Sequence, residues 1–128
     1  MDRGVEGDRT GGAPNEATAA DVREKAKTER AVRCAACGHT LAHPRDSVTV
    51  NGASAHEFMN PSGIRFVVRC FAKADGAREL GESSSVWTWF PGYAWTPLAC
   101  GGCAAHVGWS FRAEERAFFA LIADRVTD

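Results

Sequence analysis

The rhythm of hydrophobic and polar positions changes near residue 31. Residues 1–30 contain no aromatic side chain, and their only large apolar ones are Met1, Val5 and Val22; charges of both signs alternate with Gly, Ala and Thr. So little apolar surface cannot offset the entropy of ordering the segment. It is expected to be a disordered tail, with a nascent helix over 19–29, where Ala, Arg, Glu and Lys favour one. Residues 31–128 read as short strands cut by turns and should form a single domain. A β-rich run at 47–50 ends at Asn51-Gly52, a strong hairpin signal. Ala55–Met59 follows, then a turn at Asn60-Pro61-Ser62-Gly63. The cleanest strand is 64–71, with Ile64, Phe66, Val68 and Cys70 on one face and Arg65, Val67, Arg69 and Phe71 on the other. After an Asp75-Gly76 turn, strands are expected at 86–90, 93–99 and 105–111, with Pro91-Gly92 turning the first into the second. Ala117–Ile122 is ambiguous: Phe118, Phe119, Leu121, Ile122 and Val126 fit helical spacing, yet the run could equally be a buried strand. The pattern predicts a mainly antiparallel β protein, built as two small sheets.

Composition narrows the function classes. The 128 residues are too few for two ordinary cores, and 45% hydrophobic with 24% charged residues is normal for a globular chain. A formal net charge of −1 gives no attraction to nucleic acid or an anionic membrane surface. No apolar run is long enough to span a bilayer, and no h-region marks a secretory signal. A cytoplasmic location is therefore expected, where five cysteines favour metal binding over disulfides.

The cysteines supply the sharpest local chemistry. Cys34-Ala35-Ala36-Cys37 and Cys100-Gly101-Gly102-Cys103 are two C-x-x-C knuckles, each able to present two thiolates from one tight turn. A single pair could be a thioredoxin-like redox motif, but that needs a βαβ context the pattern lacks. Two pairs predict one Zn²⁺ held by Cys34, Cys37, Cys100 and Cys103. The knuckles lie much further apart than in a zinc ribbon, so the ion should fasten the beginning of the domain to its end. Four thiolates close the coordination sphere, which makes the metal structural. His39, two residues after Cys37, could in principle replace a ligand, but four cysteines suffice; His43, His56 and His106 lack ligand spacing, and all four are expected to be ordinary exposed or hydrogen-bonded histidines. Cys70, on the apolar face of a strong strand, is expected in the core.

The four tryptophans, Trp87, Trp89, Trp95 and Trp109, crowd the last third of the chain. Trp89 and Trp95 flank Pro91-Gly92 and could face each other across a hairpin. Trp109 and Phe111 share one strand face. Either the indoles fill a core or they line a pocket for flat polar rings or cations, and pattern alone leaves both open.

Particular residues carry a family resemblance. Trp89-Phe90-Pro91-Gly92-Tyr93-Ala94-Trp95-Thr96, then Cys100-x-x-Cys103, then His106-Val107-Gly108-Trp109-Ser110-Phe111 resembles the CULT domain, the thalidomide-binding domain of cereblon-type proteins. Asn60-Pro61-x-Gly63 and the first knuckle match its earlier portion, so the resemblance covers about residues 31–126. It implies a β-tent: two antiparallel sheets meeting at an angle and pinned near the apex by the four-cysteine zinc. It also implies that the C-terminal segment begins as a strand. It further implies a cage of Trp89, Trp95, Trp109 and Phe111 that takes a glutarimide or similar cyclic imide. The Trp87 carbonyl would accept from the imide N–H, the Trp89 amide would donate to an imide oxygen, and Asn60 and Pro61 would form the lip. Trp87 departs from the eukaryotic members, which carry a histidine there with a further hydrogen bond to ligand; such a bond is worth about 0.5–1.5 kcal/mol. No counterpart of the Lon-like domain of eukaryotic cereblon is expected in residues 1–30, so no ubiquitin-ligase adaptor role follows. The organisation resembles the stand-alone bacterial members.

The expected function is a non-enzymatic module binding cyclic imides, with C-terminal cyclic imides of peptides and uracil-type rings as natural candidates. An enzyme related to the B-type methionine sulfoxide reductases would need a reactive cysteine, and Cys70 is the one outside the knuckles. A receptor for quaternary ammonium groups would use the same cage.

Overall fold

A computed structural model of the protein describes residues 30–128. The expected tail and its nascent helix at 19–29 lie, Arg30 apart, outside the described residues. Residues Ala31–Asp128 form a compact unit of nine strands and two single-turn 3₁₀ segments. The strands are β1 (Val32–Cys34), β2 (Thr40–Ala42), β3 (Ala55–Met59), β4 (Arg65–Phe71), β5 (Ala77–Glu79), β6 (Ala94–Cys100), β7 (His106–Arg112), β8 (Ala117–Ile122) and β9 (Val126–Thr127). They make the two antiparallel sheets the pattern predicts: a three-stranded sheet in the order β9-β1-β2 and a six-stranded sheet in the order β3-β4-β8-β7-β6-β5.

Strand alternation feeds two cores. On β4, Val68 and Cys70 join one cluster while Phe71 joins the other; on β8, Phe118, Ala120 and Ile122 part in the same way from Leu121. The first cluster combines Val32, Leu41 and Ala42 of the small sheet with Phe71, Leu98, Val107 and Leu121 of the large one, and so welds the sheets together. The second contains Phe90, Phe111 and Phe118, with Trp89, Trp95 and Trp109 packed against it. This cluster is where the tryptophans gather. The ambiguity at Ala117–Ile122 resolves to strand. Ala117–Ile122 lies between β4 and β7, where two ladders satisfy its backbone and both faces meet apolar side chains. Helical spacing of apolar residues carries no weight in a strand buried on both sides.

Gly108 marks the tightest approach in the large sheet. A Cβ there would lie 2.1 Å from the Ala120 carbonyl oxygen, so only glycine lets β7 and β8 close at this point. Asp75-Gly76 turns as expected, and Gly76 N–H donates to the Leu41 carbonyl at 3.1 Å, tying the turn to β2. Ser110, a buried hydroxyl on β7, donates to Glu79 of β5, which also pairs with Arg112 at 3.0 Å. These bonds hold the Glu79 carboxyl below its usual range.

Two expected strands are corrected. Asn51-Gly52 does turn, with both residues at positive φ (51° and 88°) as a type I′ turn requires. The 47–50 run it was to terminate makes only isolated bridges, Ser47 to Phe71 and Val50 to Ala53. The run 86–90 is not a strand either, and no Trp89–Trp95 hairpin forms across Pro91-Gly92. Trp95 bridges to Ser84 instead, through reciprocal bonds of 2.8 and 2.9 Å. Trp87 sits at a left-handed φ of 61°, incompatible with strand geometry. Tertiary partners drive the departure: the Trp95 indole N–H donates to the Val86 carbonyl at 2.7 Å, and Phe58 stacks on Trp89. β-propensity expresses fit to a pleated, half-buried surface, and this segment finds better partners elsewhere.

Candidate functional site

The four-cysteine centre joins the two sheets. Cys34 ends β1 of the small sheet and Cys100 ends β6 of the large one; Cys37 and Cys103 follow in the two knuckles. All four Sγ atoms lie within 4.8 Å of one another, with Cys34–Cys103 at 3.7 Å and Cys37–Cys100 at 3.6 Å. A tetrahedron with metal–sulfur bonds of about 2.3 Å spaces its sulfurs by about 3.8 Å, so the donors stand ready for one ion. The knuckles are matched turns: Gly38 N–H donates to the Cys34 carbonyl and Ala104 N–H to the Cys100 carbonyl, each at 2.8 Å. Gly102 N–H points at Cys100 Sγ at 3.3 Å.

Crowding separates the thiols electrostatically. The His39 backbone amide favours the Cys37 thiolate, but burial and the three other thiols outweigh it and push that group up to about 12. Burial opposes ionisation of Cys100, yet the amides of Cys103 and Gly102 and bonds from Cys37 and Cys34 bring it down to about 7. Four sulfurs this close need a cation to ionise together.

A separate cavity of about 330 Å³ is lined by Asn60, Pro61, Trp87, Trp89, Trp95, Trp109 and Phe111. The structure thus gathers all seven residues singled out for ligand binding around one space, and no cysteine borders it. Three parts of the fold contribute. Trp95, Trp109 and Phe111 come from β6 and β7, where Trp95 pairs with Phe111 and Pro97 with Trp109. Trp87 and Trp89 come from the irregular segment. Asn60 and Pro61 come from the β3–β4 turn, closed by Asn60 N–H to the Ile64 carbonyl at 2.8 Å and by Ile64 N–H to Asn60 Oδ1 at 2.9 Å.

A second layer of rings, invisible as such in the sequence, holds the indoles. Phe58 and Phe66, directly opposed in the β3–β4 ladder, back them: Phe58 stacks on Trp89 at 4.9 Å and Phe66 meets Trp109 edge-on at 5.2 Å. Trp89 and Trp109 are themselves T-shaped at 4.8 Å. Each such pair adds about 0.5–1.5 kcal/mol beyond its buried area. His106 is hydrogen-bonded, as its plain reading has it, and it also packs its ring edge-on against Trp109 at 4.8 Å. Its Nε2 donates to the Gly108 carbonyl at 2.9 Å, leaving Nδ1 to face Arg125 Nη1 at 3.4 Å. Burial, only partly offset by the Gly108 bond, lowers its pKa, and Arg125 adds to the shift. Cross-strand register signals Phe58 and Phe66; no sequence pattern signals His106.

The polar groups of the pocket are few. The Trp89 and Trp95 indole N–H groups are engaged by the carbonyls of Met59 (3.3 Å) and Val86 (2.7 Å). By contrast, neither the Trp87 carbonyl nor the Trp89 backbone N–H has a hydrogen-bond partner among the described residues. One acceptor and one donor, two residues apart, are thus left on a backbone that borders an aromatic cavity with no charged side chain in its lining. Cys70, outside both sites, is fully buried, and burial pushes its thiol up to about 11. No helix among the described residues is long and apolar enough to cross a membrane.

No family model matches the chain. Among curated proteins it is similar to cereblon of Drosophila yakuba, 34% identical over 116 residues covering 82% of this chain and 19% of the relative. Cereblon of Drosophila erecta is 36% identical over 104 residues, 73% of this chain and 17% of the relative. Cereblon of Danio rerio is 37% identical over 59 residues, 46% of this chain and 14% of the relative. The chain spans about a fifth or less of the length of these relatives.

Proposed function

The chain carries a cereblon-type domain, and from that premise we propose that its aromatic pocket is a non-enzymatic binding site for cyclic imides. The observation that carries the proposal is the unpartnered pair, Trp87 C=O and Trp89 N–H, at the border of a cavity walled by indoles. A cyclic imide has nearly flat apolar faces and an edge reading C=O, N–H, C=O. Indoles cover the faces, while the backbone acceptor takes the imide N–H and the donor takes one imide oxygen. A ring that covers these groups takes them from water, so one lacking the imide edge leaves both unsatisfied. Glutarimides, C-terminal cyclic imides of peptides and uracil-type rings all present this edge.

Two features support the non-enzymatic reading. Cys70 is buried with a raised pKa, and the remaining four thiols are committed to one metal-binding cluster. The pocket lining also lacks the carboxylate that would strengthen a cation site. For the metal we propose Zn²⁺, since four thiolates at tetrahedral spacing suit it and leave no open position for a reacting water. The ion then holds the small sheet to the strand end from which the Trp109 strand departs, outside the pocket.

Titration of the protein with glutarimide or thalidomide, followed by tryptophan fluorescence, tests the proposal. Saturable quenching is expected in the parent and its loss in Trp109→Ala. A spectrum unchanged at millimolar ligand, with the protein folded, would defeat it.

A further inference from the structure

Of the four indoles that border the pocket, Trp89, Trp95 and Trp109 are half-buried against the second core, whereas Trp87 is 75% exposed. An isolated exposed apolar side chain needs no explanation in itself. Trp87 differs because its backbone is held at a φ of 61°, a conformation that strains a bulky residue and that glycine adopts freely. The neighbours on both sides hold it there. Val86 N–H donates to Ser84 Oγ at 3.1 Å, and the Val86 carbonyl accepts the Trp95 indole N–H at 2.7 Å. On the other side Thr88 N–H donates to the Ser85 carbonyl at 3.4 Å, and the Thr88 hydroxyl both donates to the Phe90 carbonyl and accepts from its N–H, at 3.3 Å each. The indole is therefore carried on a clamped turn at the rim, where stacking on it would cost little further ordering.

The cavity also has more room than a bare six-membered ring requires. At about 330 Å³ it lies at the lower end of the range that holds drug-sized molecules. The Val86 and Met59 carbonyls hold the Trp95 and Trp89 indoles of the lining, at 2.7 and 3.3 Å. A substituent leaving the ring towards solvent thus meets the exposed Trp87 indole, with no charged side chain in the lining.

We infer that the Trp87 side chain, as distinct from its backbone carbonyl, is a specificity platform that stacks on a planar substituent carried by the ring outside the cage. This rests on the cyclic-imide reading above. It narrows the ligand class to imides bearing a flat apolar group, which the pocket selects over the bare ring.

The test is a ratio of affinities, measured by calorimetry on the full chain with glutarimide and with thalidomide, a glutarimide carrying a flat aryl imide. The parent is expected to prefer the substituted ring by about threefold to tenfold, the scale of one aromatic stack. In Trp87→Ala that preference should fall to about one, and Trp87→Phe should retain most of it, which separates loss of the plane from general damage to the turn. A preference unchanged in Trp87→Ala overturns the platform while leaving the imide pocket standing. So does binding of the bare ring by a parent that shows no preference. Absence of binding by the parent to either compound overturns the pocket and the platform together.

Discussion

The metal centre and the aromatic pocket share the large sheet but are built on opposite principles. In the centre, each knuckle is a short local turn, and four like groups face one another with every sulfur within 4.8 Å of the others. Everything there is resolved by one ion. In the pocket, seven residues arrive from three parts of the fold, a second layer of Phe58, Phe66 and His106 orients them, and two backbone polar groups remain without partners. The first arrangement sets its groups where the two sheets meet; the second leaves a backbone donor and acceptor unused beside an aromatic cavity. A metal clip suits a small domain, because three- and six-stranded sheets of this size have limited core to share.

The sharpest way to break the contrast is to remove the metal. Chelation, or Cys34→Ser, should unfold the domain or lower its melting temperature by tens of degrees, since structural zinc in small domains carries about 10–16 kcal/mol of apparent binding energy. The pocket should disappear with it. Circular dichroism during heating, with and without chelator, gives the result; a domain that keeps its Tm without metal would show the centre to be dispensable. Acid should act in the same direction. Metal binding requires thiolates, and Cys37 without metal holds its proton up to about 12, so lowering the pH returns protons to the sulfurs and weakens the site.

A smaller change should stabilise the protein. Trp87→Gly replaces a bulky residue at left-handed φ with one that adopts it freely, and the folded state should gain up to about 1 kcal/mol after the extra chain entropy of glycine is counted. Urea unfolding at constant slope would report it. A loss of stability would mean that the exposed indole contributes to the fold and that the backbone there is not strained.

The smallest effect concerns His106. Its folded-state pKa lies below the ordinary 6.5, mainly through burial, so the folded protein binds the proton less well than the unfolded chain. The resulting stability is present above about pH 6.5 and is lost as the pH falls through the folded-state value. His106→Gln should flatten that part of the curve of Tm against pH between about 5 and 7. An identical slope in the variant would assign the acid sensitivity elsewhere.

How much of this was legible beforehand differs between the two sites. The cysteine knuckles can be read directly because two residues between thiols set the geometry locally, whatever surrounds them. The strand at Arg65–Phe71 is equally plain, since alternation is a property of the segment itself. Segment 86–90 misleads for the converse reason. Val, Trp, Thr and Phe favour a pleated surface, but the Trp95 and Trp89 indoles draw the backbone into a loop through the Val86 and Met59 carbonyls. Ala117–Ile122 has helical spacing and becomes a strand because ladders on both sides satisfy it.

The sequence by itself determined the metal ligands, the mainly β architecture, and through family resemblance the seven residues of the pocket. These are fixed by local spacing or by motif, which survive without knowledge of the fold. Only the tertiary structure decided that Trp87 faces outward from a strained turn, that Phe58, Phe66 and His106 brace the indoles, and that Trp87 C=O and Trp89 N–H are left unpartnered. Such facts depend on which groups meet across long stretches of chain, and a hydrogen bond left unmade is visible only when every other partner has been placed.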